Sequence, residues 1–143
     1  MEALLTLNCS NYSENMADIL KLFQQIGWEI YNPQRKVEYL PIGDDDQYAW
    51  RCEEISEAKL YGVISEKIAK KEQIGVNLFY SNGTEGISLM AYNTSQIMLS
   101  ITINRKTVKG KYTDMAWYLE NIIYMFLNID VRLLSYKIEE YED

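Results

Sequence analysis

The first quarter of the chain changes from a two-residue to a helical apolar spacing. Residues 2–9 predict a β-strand, because every second side chain is apolar: Ala3, Leu5, Leu7 and Cys9. Ser13 then precedes a helical pattern that ends at Gly27, and we expect Ser13 to cap that helix. The apolar side chains of this helix recur three or four positions apart: Met16, Ile19, Leu20, Phe23 and Ile26.

The next segment is predicted to be extended, then a loop, then a helix. Residues 28–31 and 36–40 form two extended pieces around the turn at Asn32 and Pro33. Pro41 and Gly43 interrupt the pattern, and we place the acidic run after them in a loop. A second amphipathic helix with a charged outer face is expected from about residue 52 to 71, on the apolar positions Ile55, Leu60, Val63, Ile64 and Ile68.

The middle of the chain carries the clearest pattern. Residues 76–80 and 87–92 alternate and flank Asn82-Gly83, a pair typical of a two-residue type I′ hairpin turn. A second turn at residues 93–95 leads into residues 96–104, where alternate side chains are again apolar. These three segments predict an antiparallel meander with one apolar face and one mostly polar face, the latter including Ser88, Ser100 and Thr102.

The last third adds one helix and one strand. Four basic residues surround Gly110, and we expect Thr113 to cap a third helix after them. Residues 131–138 predict a final strand that is followed by an acidic end. The predicted order is β-α-β-β-α-β-β-β-α-β in a single domain, residues 1–143. This order indicates an α+β fold with about three helices packed on an antiparallel sheet.

Composition removes several classes of function. The chain has no histidine, the usual general base and metal ligand, and carries a net charge of −7, which disfavours nucleic acid as a partner. The two cysteines, Cys9 and Cys52, lack the spacing of a disulfide or zinc framework, and we expect both to be buried thiols. Without a basic leader or a membrane-spanning apolar run, we expect a cytoplasmic protein that does not bind membranes.

The search for catalytic chemistry yields one weak candidate. No phosphate-binding glycine motif is present, and only the carboxylates of residues 44–46 with Glu53 and Glu54 offer oxygen ligands for Mg²⁺. Adjacent residues point in different directions and match no known ligand spacing, so we favour a solvated loop. The sequence therefore predicts a protein that is not an enzyme and that holds no metal or cofactor.

Charge and aromatic residues favour binding to a protein. Residues 1–60 have eleven acids and five bases, and residues 130–143 have five acids and two bases, so the negative excess lies at both ends of the chain. Tyrosine and tryptophan, which are enriched in binding hot spots, stand next to the acids. The predicted partner-binding residues are Asp44, Asp45, Asp46, Tyr48 and Trp50, with Glu139, Glu140 and Glu142 as a second set.

The chain resembles the immunity proteins of bacterial contact-dependent inhibition and related polymorphic toxin systems. The stretches 100–107, 113–119 and 135–141 carry most of this resemblance, together with the small, acidic, tyrosine-rich character of the chain. It implies a tight complex with the C-terminal domain of one cognate toxin, usually a basic nuclease, whose active site or substrate surface is blocked. The alternatives are a non-catalytic adaptor or binding module and, less favoured, an enzyme that uses carboxylates.

Overall fold

The computed structural model describes residues 2–142. Three helical stretches are present: α1 (Met16–Gln25), α2 (Glu57–Ala69) and α3, which joins Met115–Tyr118, Leu119–Ile123 and Tyr124–Asn128. Ten strands accompany them: β1 (Glu2–Asn8), β2 (Trp28–Glu29), β3 (Val37–Tyr39), β4 (Arg51–Glu53), β5 (Ile74–Tyr80), β6 (Gly86–Ala91), β7 (Ile97–Ile103), β8 (Thr107–Val108), β9 (Tyr112–Thr113) and β10 (Ser135–Tyr141).

One antiparallel sheet organises the fold. Its strands lie in the order β10-β1-β7-β6-β5-β3-β4, and β2 also pairs with β5. The predicted meander is its centre, and the α+β class with about three helices is confirmed. Buried apolar side chains meet across the strands, which fixes the register because a slip of one residue would turn them to water. One such row contains the partly buried Ile138 and the buried Leu5, Leu99, Leu89 and Val76.

The helices cover only one face of the sheet. Buried residues of α1, α2 and α3 join the inward strand residues in one continuous apolar cluster. The opposite side of the sheet, which we call the open face, carries the alternate residues of β1, β5, β6 and β7. These are partly buried or exposed, apart from the buried Gly75 and Gly86. No helix of residues 2–142 is long and apolar enough to cross a membrane.

Two predicted helix starts were wrong by a few residues. Asn15, not Ser13, caps α1 by accepting a hydrogen bond from the backbone N–H of Ala17. The predicted start of the second helix at residue 52 was also wrong, because β4 pairs with β3 there and Ser56 caps α2 from residue 57. A strand of three residues is too short to show a periodic pattern, so the sequence did not reveal it.

The predicted type I′ turn at Asn82-Gly83 is also absent. Neither residue has the left-handed φ that this turn requires. The Tyr80 N–H donates to the Glu85 carbonyl, which leaves a four-residue connection, while the Ser81 N–H donates to the carbonyl of Gly27. The Ser81 N–H, which a two-residue turn would have paired within the hairpin, is thus bonded to Gly27 after α1.

The C-terminal third contains a small hairpin that the sequence did not predict. Strands β8 and β9 pair through a loop in which Lys109 and Gly110 have φ values of 51° and 85°. Thr113 therefore belongs to β9, and Asp114 caps α3 in its place by accepting from the N–H of Trp117. The final strand begins at Ser135 rather than 131, and it includes two of the acids that we had placed beyond it.

The middle of α3 is a π-helical segment, Leu119–Ile123, in which the Tyr124 N–H donates to the Leu119 carbonyl five residues back. Within it, the Asn121 side chain donates to the Trp117 carbonyl at 2.8 Å and accepts from the Tyr80 hydroxyl at 2.9 Å. The Asn121 carbonyl accepts from the Trp28 indole N–H at 3.1 Å. The segment therefore joins α3 to the aromatic side chains of β2 and β5.

Candidate functional site

The first residue of the predicted acidic loop is part of the protein interior. Asp44 is 5% exposed. Its carboxylate accepts three backbone N–H groups, from Gln47 and Tyr48 at 3.1 Å and from Ala49 at 2.7 Å. Three donors occupy most of the roughly four lone-pair sites of a carboxylate, and the burial of the side chain leaves it little access to a partner at the surface. Asp44 shapes the loop, and we remove it from the predicted binding residues.

A buried lysine holds the same loop in place. Lys67 of α2 is 1% exposed, although the sequence predicted a charged outer face for this helix. Its ammonium donates to the Pro41 carbonyl at 2.8 Å and the Asp44 carbonyl at 2.6 Å, and it lies 3.4 Å from the Glu72 carboxylate. Glu72 also accepts from the Gly43 N–H at 2.8 Å. The loop is therefore a rigid platform.

The exposed part of this platform combines two acids with two tyrosines. Tyr48 and Tyr92 are 52% and 54% exposed, and Asp46 is also exposed. Asp45 accepts from the Gln73 N–H at 2.8 Å, and its hydrogen bonding is the main cause of a raised pKa at Tyr92. The charges of Asp45 and Asp46 also contribute to raising this pKa, so these acids lie near the Tyr92 hydroxyl. Within residues 2–142, no basic side chain forms a salt bridge with Asp45 or Asp46.

Tyr92 was not predicted to belong to this surface. It directly follows β6, and its place beside Asp45 results from the pairing of Ile74 with Ala91, which brings the two ends together. The turn signal at residues 93–95 placed Tyr92 at a strand end. Nothing in the sequence linked it to the acids, which precede it by more than 40 residues. We call the exposed side chains of Asp45, Asp46, Tyr48 and Tyr92 the loop surface.

Trp50 connects the loop surface to the open face. A Cβ atom built on Gly75 of β5 would lie 3.1 Å from the Trp50 ring atom Cη2 and 2.6 Å from Leu40 Cδ1. The missing side chain at Gly75 thus lets the indole and the leucine approach the backbone of β5. The indole is half-buried by this contact, so Trp50 has a packing role and presents only part of its ring to a partner.

The centre of the open face is a chain of hydrogen bonds. The Ser88 hydroxyl donates to Asn77 Oδ1 at 2.6 Å, and Asn77 Nδ2 donates to one carboxylate oxygen of Glu38 at 2.9 Å. Asn32 Nδ2 donates to the other oxygen at 2.8 Å. Glu38 is thereby fixed by two neutral amides, and within the described chain no basic side chain lies within salt-bridge distance of it.

The surroundings of Glu38 favour access from outside. Asn32 is buried and its side-chain oxygen accepts from the N–H groups of Gln34 and Lys36, so this partner of Glu38 is itself held rigidly. A groove of about 390 Å³ opens beside Glu38, with Phe79 and Asn104 among its walls. An immobilised carboxylate at the side of a groove is suited to accept a cationic side chain. Glu38 was not predicted to be a site residue, because the sequence shows it only as the polar position of a short extended segment.

The second predicted set of acids is engaged within the chain. Glu140 accepts from the Thr113 N–H at 2.7 Å and lies 3.6 Å from the Arg105 guanidinium, and these contacts lower its pKa. Glu139 lies 3.1 Å from the Lys137 ammonium, and Glu142 lies 3.9 Å from that of Lys111. The basic cluster and these acids balance each other. The predicted acidic end is therefore a strand with paired charges.

The possible magnesium site does not form in the part of the chain that the structure describes. Over residues 2–142, no three acidic or cysteine side chains come together as metal ligands.

Comparison of the chain with protein-family models, with curated proteins and with solved structures finds no match. The geometry offers an anchored carboxylate, a rigid acidic loop and exposed tyrosines on adjoining surfaces, which is the chemistry of a binding surface for a cationic partner.

Proposed function

We propose that this protein is a toxin-neutralising immunity protein that binds a cognate basic toxin domain through the open face and the loop surface. The resemblance to immunity proteins implies that this toxin domain is a nuclease. The observation that carries the proposal is Glu38, a carboxylate held by two amides, without a cation of its own among the described residues. The loop surface adds Asp45 and Asp46, which also have no ion pair there, and two exposed tyrosines. These acids are therefore available to cationic groups of another molecule.

The physical basis of the complex is charge complementarity with a rigid anchor. A nuclease surface is positive because its substrate is a polyanion, so acids of an inhibitor attract and orient it. An arginine or lysine of the toxin reaching Glu38 would form a charge-assisted hydrogen bond with a group that needs no reordering. Tyr48 and Tyr92 supply large side chains with little conformational entropy to lose. Occupying the positive surface excludes the substrate.

This function also implies a partner, a place of action and a mode of neutralisation for the protein. Its partner is the toxin's C-terminal domain, and it requires neither a nucleic acid nor a membrane nor a cofactor. It acts in the cytoplasm, where an incoming toxin would find its substrate. Neutralisation proceeds by stoichiometric binding and not by catalysis.

The test begins with the C-terminal domain of a large secreted toxin encoded next to this chain. Co-expression should protect cells from that domain, and the purified pair should form a one-to-one complex. Glu38→Gln keeps the size of the side chain, removes its charge and replaces one acceptor oxygen by an NH2 group that faces an asparagine amide. We expect dissociation to accelerate and affinity to fall by about 30-fold or more. The paired change Asp45→Asn and Asp46→Asn should slow association and flatten its dependence on salt.

Glu66→Gln is the matched control, because it removes one acid from the exposed side of α2, on the helical layer. It should bind and protect like the original protein. If Glu38→Gln and the Asp45/Asp46 variant both fold and bind unchanged while the complex forms, the interface lies elsewhere. If the adjacent toxin domain neither binds nor is neutralised, the function itself is wrong, and an adaptor becomes the better interpretation.

A further inference from the structure

The outer edge of the sheet at β10 is regular and has no strand paired to it within residues 2–142. The β8–β9 hairpin contacts the strand through the Glu140 side chain at one end. β10 forms a ladder with β1 on one side, with all seven residues in unbroken register. It is the terminal strand of the sheet, and within residues 2–142 no backbone hydrogen bond reaches its other side. The opposite terminal strand, β4, has only three residues. A long edge without proline or bulge is a template for a further strand.

We propose that a second copy of this chain pairs with the β10 edge, giving a twofold symmetric dimer with one continuous sheet. Symmetry restricts the possible registers. Hydrogen-bonded and non-hydrogen-bonded pairs alternate along an antiparallel ladder. A twofold axis must therefore lie midway between a residue and the same residue of the second copy. Ile138 is the midpoint of Ser135–Tyr141, and an axis there pairs every residue of the strand.

The charges of β10 select this same register. Lys137 and Glu139 lie 3.1 Å apart within one chain. With the axis at Ile138, each also faces the opposite charge of the second copy, Lys137 against Glu139 and Glu139 against Lys137, so the four groups form an alternating cluster with two attractive cross-strand pairs. Moving the axis by one residue would place Lys137 against Lys137 or Glu139 against Glu139, and would leave two residues of each strand unpaired. Like charges directly opposite are destabilising. Length and charge therefore agree on one arrangement.

Side chains next to the edge also favour a covering partner. Tyr136 is 48% exposed on the helical side of the sheet, where its cross-strand neighbour in β1 is the buried Leu7. Leu134, immediately before the strand, is 62% exposed. A second copy would cover these apolar groups on the helical side of the sheet, while the Lys137 and Glu139 pairs would form on the open face. The dimer does not depend on the proposed toxin-binding function.

The test is a charge exchange read by sedimentation equilibrium from about 1 µM to about 1 mM, the range in which a weak homodimer dissociates. Lys137→Glu and Glu139→Lys each create like-charge pairs across the axis, and each should weaken the dimer by about tenfold or more. The double variant restores opposite charges with reversed sign, so its dissociation constant should return to within about threefold of the original. Lys70→Glu, the same charge change on exposed α2, should have no effect.

Hydrogen exchange on the unmodified protein gives a second measurement that needs no variant. Amides on the outer side of β10 should become protected as the concentration rises through the dimer range, while those of β4 should not. A protein that stays monomeric to about 1 mM, the upper end of weak homodimer affinities, overturns the proposal. So does a dimer that both single variants leave intact, or a double variant that remains as weak as either single one.

Discussion

Lys67 is the buried charge that connects α2 to the loop at residues 41–44. Its ammonium donates to two loop carbonyls and lies beside Glu72, so three groups from outside its helix converge on one buried charge. A buried cation is tolerated only when its protons find acceptors, and here the acceptors are the backbone of the segment that presents the loop surface. The stability of the loop and that of the whole domain are therefore linked through this side chain.

Replacing Lys67 by methionine should destabilise the protein by about 3 kcal/mol or more, because two charge-assisted hydrogen bonds and the ion pair with Glu72 are lost. The buried Asp44 carbonyl loses this donor, and the Pro41 carbonyl keeps only the Asp44 N–H within residues 2–142. Urea unfolding followed by circular dichroism measures the change.

Lys70→Met is the control, since Lys70 is half-exposed and pairs only with Glu66 one turn away. That variant should lose no more than about 0.5 kcal/mol. Equal effects of the two substitutions would show that the buried position has no special role.

The two cysteines should differ strongly in reactivity. Cys9 is fully buried, and burial raises the pKa of its thiol to about 12, so almost no thiolate is present near pH 8. Cys52 is exposed, contrary to the expectation that both thiols are buried. A disulfide reagent such as DTNB should modify one thiol rapidly in the native protein and a second only after unfolding. Cys52→Ser should abolish the rapid phase, and rapid labelling that persists there would contradict the burial of Cys9.

At the scale of elements, the π segment of α3 is held by side-chain contacts and not by intrinsic propensity. Such a segment leaves some backbone groups without the usual helical partner. Asn121 and the Trp28 indole supply replacements, and the rings of Trp28, Tyr80 and Trp117 pack against one another with centroids 5.1 to 6.2 Å apart. The segment, β2 and the end of β5 therefore stabilise one another.

Asn121→Ala should cost about 1–3 kcal/mol, because the Tyr80 hydroxyl loses its acceptor and the Trp117 carbonyl loses its side-chain donor. Thermal unfolding should show the loss, and near-ultraviolet circular dichroism should change because the aromatic rings move. Glu120→Ala, next to it on the exposed side, should change neither signal by much. If the two variants are equally stable, the Asn121 contacts do not hold the segment.

The strands and helices with long periodic patterns were predictable, and the short or side-chain-dependent features were not. Residues 97–103 have alternating apolar side chains that fit only a strand with one buried face, and β7 follows that pattern. β4 and the β8–β9 hairpin have two or three residues per strand, too few for a period. The π segment and the inward direction of Lys67 depend on contacts with residues distant in the chain, which one sequence does not reveal.

The same limit explains what was missed in the candidate site. The acidic run at residues 44–46 was visible as a run, but only the fold shows that Asp44 points inward while Asp45 meets Tyr92. Glu38 is a single acid between two apolar residues, and its hydrogen bonds come from Asn32 and Asn77, on other parts of the chain. Its importance depends on tertiary contacts and on the absence of a nearby cation in the described residues.

At the scale of the whole molecule, charge is balanced in one region and unbalanced in another. The hairpin β8–β9 and the residues before it bring Arg105 to Glu140 and Lys111 to Glu142, so basic and acidic segments of the C-terminal third neutralise one another. Around Glu38 and the loop surface no such pairing occurs in residues 2–142. The carboxylates of Glu38, Asp45 and Asp46 therefore keep their negative charge without an ion pair in these residues, on the side that we propose for the toxin.

Glu140 joins the hairpin to the sheet, and its charge should make stability depend on pH. Hydrogen bonds from Thr113, and then the nearby Arg105, lower its pKa in the folded protein relative to the ordinary glutamate value of about 4.3. The folded state therefore prefers the ionised group. This contribution is fully present above about pH 5 and is lost as the pH falls through the lowered pKa, because both states then bind the proton.

Glu140→Gln keeps an acceptor of the same shape for the Thr113 N–H and removes only the charge. We expect a lower thermal midpoint than the original protein at pH 7, and a difference that shrinks as the pH falls below about 4.3. Glu142→Gln is the control: its side chain is 82% exposed and its one ion pair within residues 2–142 spans 3.9 Å, so its midpoint should follow the original at every pH. A Glu140→Gln difference that stays constant down to about pH 2, where both glutamates are protonated, would mean that the substitution disturbs packing and that the charge does not link hairpin and sheet.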